Sequence, residues 1–137
     1  MFSIGQLSRA TGVKVTTIRY YEQMGLIAHE GRTEGNQRRY SQAGLDRLAF
    51  IRHARELGLS LEAIRTLVGL EGKGGAACAE SHAIAEAHLR DIRDRIRRLQ
   101  ALERELVRIR DSCDGTGAGG CSILTAFGDH DLCAGSH

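Results

Sequence analysis

IGQLSRATGVKVTTIRYYEQMG, residues 4–25, is the stretch whose reading decides the fold. Ser3 stands just before it and is a side-chain type that caps helix starts. IGQLSRAT reads as a helix halted at Gly12, since glycine most easily takes the left-handed conformation that closes a helix. Val13, Lys14 and Val15 make a turn, and Thr16 or a neighbour opens a second helix, TTIRYYEQMG, ending at Gly25. Two short helices joined so tightly predict a helix-turn-helix, whose second helix enters the DNA major groove. The exposed face of that helix carries Thr16, Thr17, Arg19 and Tyr20. An arginine fork can hold a phosphate or a base edge, and hydroxyls suit phosphates. With Lys14 in the turn, Thr16, Arg19 and Tyr20 are the candidate DNA contacts of this motif.

Outward from the motif comes LIAHEGRTEGNQRRY, residues 26–40. Gly31, Gly35 and Asn36 mark turns, and Arg32, Arg38 and Arg39 crowd together. This predicts a short hairpin, or wing, that lays arginines along the phosphate backbone. Ser41 caps a third helix, QAGLDRLAFIRHAREL, ending near Gly58, and Ser60 caps a fourth, LEAIRTLVGL. EGKGG, residues 71–75, then breaks the chain. The expected division is a winged helix-turn-helix domain over 1–70, a linker over 71–77, a long helix over 78–112, and a loop and tail over 113–137.

The long helix has apolar residues at Ala85, Leu89, Ile92, Ile96, Leu99, Leu102, Leu106 and Ile109, and Cys113 continues the series. Steps of three and four keep them on one stripe, as a coiled-coil seam requires. Most of the remaining surface is charged. A lone helix cannot bury such a stripe, so a second copy of the chain is expected against it. Cys78 and Cys113 lie 35 residues apart. At about 1.5 Å of rise per residue that is about 52 Å of helix. One chain cannot bring both thiols to one ion, but an antiparallel pair can. Cys78 of one copy then meets Cys113 and Cys121 of the other. Between those two runs DGTGAGG, whose glycines permit the turns that wrap a loop around an ion.

Composition sets the limits. The chain has 137 residues, no proline and no tryptophan, which suits a helical core of Leu, Ile, Val and Ala. It has no apolar run long enough to span a bilayer and no apolar leader at its start, so a cytoplasmic, membrane-free protein is expected. Four cysteines in a reducing compartment favour metal or redox chemistry over disulfides. Residues 1–70 carry ten Lys/Arg against six Asp/Glu, and residues 71–137 carry nine against eleven. A basic first half fits a nucleic-acid domain joined to something else. No nucleophile–base pair or nucleotide loop is visible, so an enzyme is not expected.

These residues, in this order, resemble the MerR family of transcription regulators. IRYYE followed by GL, then R-x-x-G-N-x-R-x-Y, then LDRLAFIRHARELGLSLEAIRTLV carry the likeness. The resemblance implies a mainly α fold: a winged helix-turn-helix, a long antiparallel coiled-coil dimerisation helix and a C-terminal metal-binding loop. It implies a homodimer on a palindromic promoter operator, activating by distorting DNA so that RNA polymerase can use it. By position, Arg19 and Tyr20 match recognition-helix contacts, and Arg32, Arg38 and Tyr40 match the wing. The chain departs from the family in having Ala28, His29 and Glu30 where prolines are common, and Gln37 where an aromatic is common.

The likeness also bears on the ion. Thiolates select soft metals. In the family's copper branch the start of the long helix carries no cysteine; in its divalent branch a cysteine there donates from the other subunit. Cys78 places this chain with the divalent branch, implying Cd, Pb, Zn or Hg as effector at Cys78, Cys113 and Cys121. A Cu(I)-responsive regulator and a thiol- or redox-sensing one are the alternatives. His82, one turn after Cys78, is either a fourth ligand or a solvated helix-face residue. His130, Cys133 and His137 in the tail form either a secondary metal site or an unstructured end.

Overall fold

The computed structural model describes residues 1–113, 115, 116 and 121–128. His130, Cys133 and His137 lie outside the described residues. The chain divides into two compact units, Met1–Ile84 and a second beginning at Ala85.

The first unit opens with β1 (Phe2–Ser3) and α1 (Ile4–Thr11). Ser3 closes a capping box: its hydroxyl accepts from the Gln6 N–H while the Gln6 side chain accepts from the Ser3 N–H. Gly12, at φ 76°, ends the helix. A side chain there would also meet the Arg52 guanidinium. The second helix, α2 (Val15–Gln23), starts at Val15, the neighbour of Thr16. Lys14 is its extended N-cap, and no side-chain cap bond fixes the start at a polar residue. Ile18 and Tyr21 turn inward from α2.

The wing is real and small. Strands β2 (Gly31–Arg32) and β3 (Arg38–Tyr40) pair antiparallel, and β1 adds to the other side of β3. The hairpin tip turns at Asn36, at φ 65°. Two helices follow, α3 (Gln42–Glu56) and α4 (Leu61–Leu70), each capped by the serine expected, Ser41 and Ser60. Leu7, Ile18, Leu26, Tyr40, Leu48, Ile51 and Ile64 are fully buried and form one core. At about 1.5–3 kcal/mol for each large apolar side chain, this core outweighs any surface term in the unit.

Helix α5 (Gly75–Asp111) is unbroken over 37 residues. It begins earlier than position 78 because the last helix-breaking turn is Gly74, at φ 81°. The second unit also holds α6 (Ser122–Gly128). It occupies part of the stretch expected to be loop and tail. Ile109 and Ala126 are buried there, and Leu99, Leu102, Leu106, Val107, Ile123 and Phe127 line an apolar groove of about 570 Å³. Among the described residues no helix is long and apolar enough to cross a membrane.

Candidate nucleic-acid interface and metal centre

Burying Ile18 and Tyr21 turns the opposite face of α2 to solvent, and Thr16, Arg19 and Tyr20 are exposed on it. Lys14 is exposed at its start. A cleft of about 340 Å³ lies beside this face, lined by Ser3, Ile4, Gly5, Arg19, Asn36, Gln37 and Arg38. Arg19 from α2 and Arg38 from the wing therefore share one hollow. At the wing tip an Arg32 guanidinium N–H donates to the Asn36 carbonyl (3.3 Å) and to its side-chain oxygen (3.2 Å). The arrangement is a basic, concave surface of the kind that holds a phosphate backbone.

Arg38 does not stand free. Its buried Nε lies 3.3 Å from Glu22 Oε2, an ion pair too oblique for a hydrogen bond. The Tyr40 hydroxyl donates to the same oxygen at 3.2 Å, and His29 Nδ1 stands 2.5 Å from Oε1. Burial alone would raise the Glu22 carboxyl, but the hydrogen bonds from His29 and Tyr40 and the charges of Arg38 and His29 hold it below its ordinary value. Tyr40 itself is fully buried, so its link to a DNA surface runs through the wing it anchors. The Glu22 cluster was not among the sequence candidates, because its other members lie 7 to 18 residues from Glu22 and only folding gathers them.

Burial, then the negative charge of Glu22 and the hydrogen bond to it, push the Tyr40 phenol from 10.0 up to about 12. A group raised on folding stabilises the fold fully below its unfolded value and loses that contribution as pH rises through the folded one. The window is therefore pH 10 to about 12, with about 2–3 kcal/mol at stake. Urea midpoints should fall across that window and fall less in Tyr40→Phe; equal declines would remove Tyr40 as the cause. The lowered Glu22 acts at the other end: its contribution holds above the ordinary carboxyl value of 4.5 and fades as pH drops below it through the lowered one.

Arginines from α3 and α4 seal helix ends. Arg65 donates to the Met24 carbonyl at the close of α2, and Arg52 donates to the Thr11 carbonyl at the close of α1. These bonds satisfy carbonyls that a helix terminus leaves without an intrahelical partner.

The thiols occupy different settings. Cys78 is exposed on the first turns of α5, at a hollow of about 430 Å³ lined chiefly by Phe50, Leu67, Leu70 and Ala77. Cys113 and Cys121 are half-buried, one after α5 and the other before α6. The Gly115 N–H donates to Cys113 Sγ at 3.4 Å. The donor set thus fits a soft ion. His82 is exposed on α5. Among the described residues of one chain, no three His, Cys, Asp or Glu side chains stand together.

Comparison with known proteins gives a consistent picture. Residues 2–70 match the model described as MerR HTH family regulatory protein, and residues 45–109 match the model described as MerR, DNA binding. The HTH-type transcriptional regulator ZntR of Escherichia coli K12 is 44% identical over 130 residues, covering 93% of this chain and 92% of that one. The mercuric resistance operon regulatory protein of Bacillus cereus is 39% identical, covering 82% of this chain and 85% of its own. The crystal structure of the transcription regulator PbrR691 of Ralstonia metallidurans CH34, in complex with lead(II), superposes with a TM-score of 0.79. It is 38% identical and covers 93% of this chain and 99% of that one.

Proposed function

Because the chain belongs to the MerR family of helix-turn-helix regulatory proteins, we propose that it is a metal-responsive transcriptional regulator of the divalent branch. It acts in the cytoplasm as a homodimer on a palindromic promoter operator. Lys14, Thr16, Arg19, Tyr20, Arg32 and Arg38 contact the DNA, and Tyr40 anchors the wing. Cys78 of one copy joins Cys113 and Cys121 of the other around a soft divalent ion: Cd, Pb, Zn or Hg. The bound ion biases the dimer toward a state that distorts the promoter for RNA polymerase, since DNA twist and bend carry energy a protein can supply.

The observation that carries this reading is that, among the described residues, free thiols stand at the start of α5, just after α5 and just before α6. Relatives named for mercuric resistance or crystallised with lead(II) are 39% and 38% identical to this chain over most of their length. Three thiolates around a 2+ ion leave one net negative charge, which suits large soft ions, whereas zinc prefers four ligands.

The test is competitive binding of Cd(II), Pb(II), Zn(II), Hg(II) and Cu(I) to the reduced protein, read beside metal-dependent transcription from its own promoter. A divalent ion should bind through all three cysteines and switch transcription on. Tight Cu(I) binding that survives loss of Cys78 would replace this reading with the copper one. On the DNA side, Arg19→Ala should weaken operator binding by about 1–3 kcal/mol if it grips a base edge. If it touches only phosphate, affinity should fall alike on all sequences and the salt slope should drop by about one. Unchanged binding by Arg19→Ala in a mobility-shift titration would take Arg19 out of the interface.

A further inference from the structure

Glu22 sits badly on a DNA-binding surface. It is an acid on the helix that carries Arg19, paired with Arg38 of the wing, and a carboxylate repels the phosphates such cations attract. Its surroundings supply another reason for it. The Glu22 side chain is 14% exposed, and three side chains from two segments converge on it. His29 comes from the connection between α2 and β2, and Arg38 and Tyr40 come from β3. The His29 and Tyr40 rings also meet edge to face, 6.5 Å between centroids. The connection holds no proline to stiffen it, since the chain has none. The His29–Glu22 contact ties the same segment by a side chain.

We propose that Glu22, gripped by His29, is a positioning residue of the DNA interface, holding the base of the wing on α2 so that Arg38 and Arg19 share one phosphate-facing cleft. It touches no DNA. Its value lies in angle: the carboxylate fixes the Arg38 guanidinium stem and the Tyr40 ring together, and His29 fixes the strand entering the wing. Charge and position then pull in opposite directions, which makes the inference testable. Glu22→Gln keeps the shape and removes one negative charge near DNA. If charge alone mattered, binding would tighten. If Glu22 positions the wing, binding weakens in spite of the more favourable charge.

The inference rests on the reading of α2 and the wing as the DNA-contacting surface. The probe is a duplex that the parent protein recovers from a random-sequence pool, titrated over a range of salt concentrations. Glu22→Gln should bind it about tenfold more weakly, the scale of a lost charge-assisted hydrogen bond. The salt slope should become shallower by about one, as the Arg38 phosphate contact is lost. His29→Leu should weaken binding in the same direction, and His29→Asn, which restores a nitrogen donor near the Nδ1 position, should recover most of it. A residue needed only for folding would not give this rescue together with a changed salt slope. Binding by Glu22→Gln as tight as the parent's, or tighter, overturns the proposal. So do His29→Leu and His29→Asn that behave alike, and the His29 pair decides the matter should Glu22→Gln fail to fold. A parent protein that recovers no duplex sinks the DNA-interface reading itself, and the positioning role with it.

Discussion

Tight binding of Cd(II) or Pb(II) should vanish in Cys78→Ser, vanish in Cys113→Ser/Cys121→Ser, and return when the two variant chains are mixed. The expectation follows from length. Cys78 lies at the start of α5 and Cys113 just past its end, about 52 Å of helical rise apart. An antiparallel second copy closes that gap. In the mixed dimer one site takes Cys78 from the double variant and the loop pair from the single variant, and is whole. The other site has no cysteine. Either variant alone has only damaged sites. The signal is three-sulfur thiolate-to-metal absorption at one ion per mixed dimer, in place of two per parent dimer. Losing one of three thiolates should cost orders of magnitude in affinity, because it removes both a ligand and a charge that offsets the ion's. A mixture that binds no better than its components would dissolve the shared site.

The second large effect concerns the seam. Leu99 is 63% exposed, Leu106 54% and Ile96 48% on a single chain, and all three lie on the stripe the sequence periodicity marks. Leu99→Glu would set a charge where two copies are expected to meet, and an unpaired buried charge costs several kcal/mol. The expected result in sedimentation is a monomer or an aggregate in place of a dimer, with metal and operator binding lost together. The joint loss is the informative part, since neither the metal site nor a two-fold operator contact survives without the partner. A parent chain that remains a soluble folded monomer at micromolar concentration would defeat the dimer.

How far the sequence could be read depended on how local each cause was. The limits of α1 were legible to the residue because Ser3 and Gly12 act within one turn of the helix they bound. Ser41 and Ser60 fixed the starts of α3 and α4 for the same reason. The long α5 was legible from its stripe. Strand β1 was not, because two residues become a strand only by pairing with Arg39 and Tyr40, nearly forty positions on. Helix α6 escaped notice because it is short and follows a glycine-rich stretch of sequence, though Ile123, Ala126 and Phe127 carry helical spacing. In the candidate DNA surface, Arg19 and Arg38 were visible as cations, but nothing local said that they share a cleft. Tyr40 read as a wing contact by position, and folding turned it into a core residue whose hydroxyl anchors Glu22.

The uncovered stripe has a consequence for how much working regulator a cell keeps. A newly made chain carries Leu99, Leu106, Leu124 and Phe127 bare, and Leu124 and Phe127 are 72% and 64% exposed. Until a second copy arrives, such a chain is attractive to chaperones and proteases. When synthesis is sparse, the number of pairs rises as the square of the number of single chains, so halving production cuts the pairs about fourfold. Unpaired chains, with that surface bare, would meanwhile be cleared faster than paired ones. Abundance of the active form thus responds to gene dosage more steeply than protein output does, and a modest change in promoter strength would become a large change in the dose of regulator.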